Sequence, residues 1–178
     1  MALETSVIEE KLTGKFGSDV GGFIQIKDIF SFEIAESVSN DIIRFLKEDS
    51  VLRFNFLTDV CGVHYPDNEK ERQFAVVYHM HNWMDNVRIR IKCFLNGDNP
   101  EIDTVTNLFL GANWQERETY DFYGIIFKGH PQLKRILNMD EMVSFPMRKE
   151  FPMEDGGRTD KDDRFFGRVT DNATVNKE

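Results

Sequence analysis

The stretch QFAVVYHMHNWMDNVRIRIKCF, residues 73–94, decides the fold class. Its second half alternates strictly. Val87, Ile89, Ile91 and Cys93 fall on one side and Arg88, Arg90 and Lys92 on the other, the period of a β-strand with one buried face. In the first half Phe74, Val76, Tyr78 and Met80 alternate in the same way. The connection from Asn82 to Asn86 is short, which suits antiparallel neighbours. Such a pair needs cover on its apolar side, and the flanking sequence supplies helices for it.

Upstream, Leu52 to Leu57 reads as a further strand, linked to residues 73–94 past a Pro66-Asp67-Asn68 turn. Ile24 and Ile26 alternate with Gln25 and Lys27, and Phe30, Phe32 and Ile34 with Ser31 and Glu33. Between these strands Val38, Ile42, Phe45 and Leu46 are spaced for the core-facing stripe of a helix that ends near Lys47-Glu48-Asp49. At the N-terminus Ser6-Val7-Ile8-Glu9 matches a capping box, with Ile8, Leu12 and Phe16 on one helical face up to Gly17. Downstream, Thr104 to Gly111 predicts a short helix. Asn113 predicts the cap of another, with Glu116 at its third position and Gly124 as its stop. After Asp140, prolines, glycines and mixed charge give no period. The expected fold is α+β: a mainly antiparallel sheet covered by N-terminal helices, then a short helical segment, as one domain over residues 1–139. An extended, partner-binding C-terminal segment occupies 140–178.

The composition narrows the function. At 178 residues there is room for one sizeable core, and 40% hydrophobic residues with 16 Phe describe a globular chain. A net charge of −9 argues against broad nucleic-acid binding and against adhesion to an anionic membrane surface. No apolar run is long enough to span a bilayer, and the acidic, amphipathic N-terminus lacks the pattern of a secretory signal. Two cysteines, Cys61 and Cys93, make no disulfide framework, so a reducing compartment, the cytoplasm, is expected.

The residues with chemistry concentrate between Asn113 and Pro152. On a helix Trp114, Arg117, Glu118 and Asp121 share one face, either solvated or built as an ion-pair network against a neighbour; the i+4 spacing predicts an Arg117–Asp121 pair. A catalytic role would use Glu116 or Glu118 as acid/base with Arg117 holding an anion, and a free-standing hydrolase would add Asp121 and His130. The structural role is favoured because no second, substrate-recognising cluster is visible. His130-Pro131 predicts a turn with the imidazole bonded to backbone. His79 and His81 read as solvent-facing, since no further ligands complete a zinc set. The cysteines alone cannot hold an iron–sulfur cluster, and there is no glycine-rich phosphate loop. Arg88, Arg90 and Lys92 form a basic strand edge, solvated or meeting an acidic partner. Phe145 to Pro152 suits a strap in a partner's groove, and Phe165-Phe166 in the tail suits the same use.

Together these residues resemble the signature of a known family. Glu116-Arg117-Glu118, Asp121-Phe122-Tyr123, Gly124, His130-Pro131, Lys134, Arg135-Ile136-Leu137 and Arg148-Lys149-Glu150-Phe151-Pro152 are similar to the 30-kDa subunit, also called the C subunit, of respiratory complex I. That complex is the proton-pumping NADH–quinone oxidoreductase. The match is strong over roughly 40 residues and looser but collinear upstream, through Leu57-Thr58-Asp59-Val60 and Tyr78-His79. His64, Lys134 and Ser144 depart from the family's usual residues.

The resemblance implies an α+β subunit of the hydrophilic arm with no catalytic, metal or cofactor-binding residues of its own. FMN and the iron–sulfur clusters belong to partner subunits. It implies docking on the quinone-site (D) subunit and contact with neighbouring iron–sulfur subunits, through Trp114, Glu116, Arg117, Glu118, Asp121, Gly124, His130, Pro131, Lys134, Arg135, Arg148, Lys149, Phe151 and Pro152. It implies a peripheral place on the cytoplasmic side of the inner membrane, and a chain of the type not fused to the quinone-site subunit. The same module occurs in related ferredoxin- or F420-fed quinone reductases and membrane-bound hydrogenases. The electron donor, the quinone and a bacterial or organelle origin stay open.

Overall fold

The alternation of residues 73–94 becomes the centre of a five-stranded sheet in the computed structural model, which describes residues 3–151. The elements run α1 (Thr5–Phe16), β1 (Val20–Ile26), β2 (Ile29–Ile34), α2 (Ser39–Glu48), β3 (Phe56–His64), β4 (Phe74–Asn82), β5 (Val87–Leu95), β6 (Glu101–Asp103), α3 (Ala112–Tyr123) and β7 (Ile126–Lys128). The sheet order is β1-β2-β5-β4-β3, while β6 and β7 form a small parallel pair. All neighbours in the large sheet are antiparallel except β2 and β5, which run parallel with Phe32 beside Ile91. The class is therefore α+β with a mainly antiparallel sheet, as its alternation predicts.

One sheet face is buried. Phe30, Phe32, Tyr78, Met80, Ile89 and Ile91 form a single core with Ile8 and Leu12 of α1 and Ile42, Ile43 and Leu46 of α2. Phe16 meets Phe45 edge-to-face at 5.6 Å and ties the two helices together. The other face carries the charged half of β5, and Cys61 lies in a row with Val77 and Lys92 on that face. Cys93 is buried on the core side, so the two thiols lie on opposite faces and stay unbridged. Among the described residues no helix is long and apolar enough to cross a membrane.

Several sequence expectations are corrected. The capping box is not used: α1 starts at Thr5 after Glu4, with no side-chain cap, because the Glu4 carbonyl takes the first amides from Val7 and Ile8. Leu52 to Asn55 is not strand. Leu52 and Phe54 are buried as plugs in a turn after α2, where the Phe54 amide donates to Leu46 and Arg53 has a φ of 45°. Thr104 to Gly111 is a chain of turns, not a helix; the Thr104 amide donates to the Lys128 carbonyl and the Val105 amide to the Glu116 carboxylate. Asn113 does not cap α3, which begins at Ala112. His81 is buried, not solvent-facing, and bonds Asn86 at 3.1 Å. β5 is the middle strand, so its basic residues line an open face and not an edge.

α3 lies along the outer edge of β3. Gln115 donates to the Thr58 carbonyl at 3.3 Å and Thr119 to the Val60 carbonyl at 3.4 Å, while the Tyr123 ring sits over Gly62. Four helical residues advance about 6 Å and two strand residues about 6.8 Å, so every fourth helical side chain meets every second strand position. This arrangement occupies carbonyls that an edge strand would otherwise present to another chain. A Cβ on Gly62 would stand 2.7 Å from Tyr123 Cδ2 and 3.0 Å from Thr119 Cγ2. Gly62→Ala is therefore expected to cost about 1–3 kcal/mol by forcing α3 outward. A urea midpoint unchanged from wild type would show that the helix is not held this tightly.

Candidate functional site

The signature residues of α3 point three ways, and each set of partners is a stretch of backbone. Glu116, fully buried, faces the turn before the helix. Its carboxylate accepts from Thr104 Oγ1 at 2.5 Å and from the Val105 amide at 2.8 Å. Burial outweighs both bonds and pushes its pKa up to about 7.

Arg117 does not pair with Asp121, contrary to the i+4 expectation. Its guanidinium donates to the carbonyls of Lys134 at 3.0 Å and Arg135 at 3.2 Å and lies 5.0 Å from the Trp114 ring. Because it takes the carbonyl of Lys134 and not the side chain, lysine or arginine serves equally there.

Asp121 is instead the centre of a nest. Its oxygens accept from Arg135 Nη1 at 2.7 Å, from the successive amides of Ile136, Leu137 and Asn138 at 3.1, 2.8 and 3.0 Å, and from the Asn138 side chain at 3.0 Å. Three consecutive N–H groups converging on one carboxylate make the arrangement of an anion nest, here filled by the protein's own side chain. Burial raises the Asp121 pKa, but these donors outweigh it and hold the carboxyl well below the usual range. Local i+4 geometry loses to this set because five donors, one of them charged, offer more than a single exposed pair.

The same clamp continues to residue 151. Arg135 Nη2 donates to the carbonyls of Met142 and Ser144, and Arg148 Nε to that of Tyr123 at 2.7 Å. Gly124 ends α3 with a φ of 74°, and a Cβ there would lie 2.6 Å from both Arg148 Nη2 and Phe145 Cε2. Glycine is thus required twice, for the left-handed backbone and for the close approach of the strap. His64, buried and stacked on Phe74 at 4.5 Å, accepts the Lys149 amide at 3.0 Å. Burial lowers its pKa, consistent with a neutral acceptor ring. Sequence reasoning misses His64 as a member of this set; its departure from the family's acidic residue is the one signal that could have found it. The first part of the 140–178 segment therefore packs on its own chain.

His130 Nδ1 accepts the Gln132 amide at 3.0 Å, which leaves Nε2 as the donor to the Asn113 carbonyl at 3.2 Å. Burial and the Arg117 charge lower its pKa. Glu118, Pro131, Lys134 and Lys149 are exposed or half-buried, while Trp114 at 61% and Phe151 are exposed. Pro152 and Phe165-Phe166 lie outside the described residues. Glu116, Asp121 and His130 do not share a site: each is turned to a different stretch of backbone. Among the described residues no group of three or more His, Cys, Asp or Glu is placed to hold a metal.

Residues 32–156 match the family model described as the respiratory-chain NADH dehydrogenase, 30 Kd subunit. The chain belongs to this 30-kDa subunit family. A family relative from Rhizobium meliloti (strain 1021), the second C-type subunit of its NADH-quinone oxidoreductase, is 42% identical over 143 residues, 80% of this chain and 76% of the relative. In Bdellovibrio bacteriovorus, the C/D polypeptide of NADH-quinone oxidoreductase is 37% identical over 153 residues, 81% of this chain but 25% of that longer protein. A solved trypsin-resistant fragment of Nqo5 superimposes with a TM-score of 0.60 and 28% identity, covering 72% of this chain and 98% of the fragment. This member of the complex I 30-kDa family is thus of the NADH–quinone oxidoreductase type, and the clamp around α3 lies within the matched range.

Proposed function

We propose that the chain is a non-catalytic assembly subunit of the hydrophilic arm of a proton-translocating NADH–quinone oxidoreductase, and that the clamp face docks on the quinone-site subunit. Flavin and iron–sulfur clusters reside in partner subunits, and the chain works peripherally on the cytoplasmic side of the inner membrane. The carrying observation is how the signature is used. Glu116, Arg117, Asp121, His130, Arg135 and Arg148 all bond backbone or side chains of their own chain. Among the side chains the clamp leaves outward are many large apolar ones: Trp114, Leu137, Met139, Val143 at 94%, Met147 and Phe151 are exposed between charged residues such as Glu118, Lys134 and Lys149. Exposed apolar groups on a rigidly held surface suit a permanent protein contact. The Bdellovibrio relative, named for C and D in one polypeptide, supports the D component, the quinone-site subunit, as the occupant.

The test is recovery of the quinone-site subunit with an affinity-tagged chain. Trp114→Glu combined with Leu137→Glu is expected to lower that recovery at least about tenfold, since desolvated aromatic anchors dominate such contacts. Both side chains are exposed, so the melting temperature of the isolated chain should not move. Undiminished recovery of the quinone-site subunit would refute the docking face.

A further inference from the structure

The sheet's open face presents a second surface that the clamp does not use. Ile24, Ser31, Arg90, His79 and Asp59 stand in one row across all five strands, and Arg88, His81 and Phe56 in the next. The described helices pack on the opposite face or along the β3 edge. Across this face runs a groove of about 510 Å³ whose lining includes Phe56, Asp59, His79, His81, Trp83 and Arg88. Trp83 meets Phe56 edge-to-face at 5.3 Å and the His81 ring at 4.7 Å.

The aromatic wall is built, not frayed. Asn82 is fully buried; its carbonyl oxygen accepts the amides of Met84 at 2.9 Å and Asp85 at 3.1 Å, and its NH₂ donates to the Leu52 carbonyl at 2.8 Å. Asn86 turns the chain with a φ of 53°. These bonds fix a turn that holds Trp83 60% and Met84 75% exposed, with Trp83 next to exposed Phe56. Charge sets the occupant's chemistry. Arg88 has no carboxylate partner within salt-bridge distance among the described residues, while Asp59, the one acid of the lining, lies 3.7 Å from His79. An unpaired arginine beside an aromatic wall selects a ligand that brings a carboxylate. The exposed apolar flank of Trp83, Met84 and Phe56 favours a polypeptide that brings its own apolar side chain over a nucleic acid.

We propose that this groove seats an acidic segment of a second partner subunit, with an apolar side chain against Trp83 and Phe56 and a carboxylate facing Arg88. The proposal rests on the assembly role given above. It is tested by placing a benzophenone amino acid at Met84 in the tagged chain, irradiating the purified complex and mapping the adduct by mass spectrometry. The expected adduct lies on a subunit other than the quinone-site one, in a segment with more Asp and Glu than Lys and Arg. Arg88→Glu should lower its yield about tenfold, while Arg88→Lys should keep it. An adduct on the quinone-site subunit, on a second copy, on this chain's own residues or on lipid overturns the proposal. So does no adduct, or a yield indifferent to Arg88→Glu. If the quinone-site subunit is absent from the wild-type preparation the assembly role itself fails; if it is present and the adduct is wrong, only the groove assignment falls.

Discussion

Asp121→Asn is expected to lower folding stability by about 3–5 kcal/mol, read as a shift of the urea midpoint. The carboxylate is fully buried and satisfies five donors, among them Arg135, whose side chain is itself only 7% exposed. An amide presents one acceptor and turns a donor toward donors, and it leaves the guanidinium without a counter-charge in a confined site. Arg135→Met should cost less in the Asp121→Asn background than in the wild type, because the ion pair is already broken there while the bonds from Arg135 to the Met142 and Ser144 carbonyls are lost in both. Simple additivity of the two changes would remove the ion pair from the explanation. The pH dependence has a definite sign. A carboxyl held below its unfolded value contributes stability above about pH 3.9, and that contribution is lost as pH falls further. The gap between wild type and variant should therefore narrow in acid.

Glu116 works in the opposite direction. Burial keeps its proton on in the fold up to a pKa of about 7, against the ordinary 4.5. Its contribution is fully present below pH 4.5 and is lost as pH rises through 7, by about 3 kcal/mol at about 1.4 kcal/mol per pH unit. Glu116→Gln carries no charge to desolvate. Its oxygen can accept the Val105 amide and its NH₂ can face Thr104. Urea midpoints at pH 5, 6, 7 and 8 should show the wild type losing stability across this window and the glutamine variant staying nearly flat, so that it is the more stable at pH 8. Parallel pH profiles for the two would sink this account. Glu116→Ala, by contrast, strands the Val105 amide and should cost about 1–3 kcal/mol at every pH.

How much of this was legible in the sequence follows from which interactions are local. The hairpin of β4 and β5 shows through because a period of two with apolar and charged sides has few other uses. The parallel pairing of β2 with β5 does not, since no local pattern names a partner beyond α2, β3 and β4. The turns from Thr104 to Gly111 have a helix's apolar spacing, but Val105, Leu108 and Phe109 are buried as separate plugs and the Glu116 carboxylate claims the Val105 amide. At the site, residue types and spacing single out α3 and the segment after it through the family resemblance. The partners of Arg117 and Asp121 stay hidden because they are mostly main-chain atoms of residues 134–138, reached only when the chain folds back.

The seating of α3 on the edge of β3 bears on how the polypeptide is made. β3 emerges from the ribosome well before Gln115, Thr119 and Tyr123, so during synthesis its outward carbonyls face the surrounding solution with nothing across them. A nascent chain in which Leu95 has left the ribosome and α3 has not would present a nearly finished sheet with one sticky border, the form in which chaperone capture or aggregation has its best opportunity.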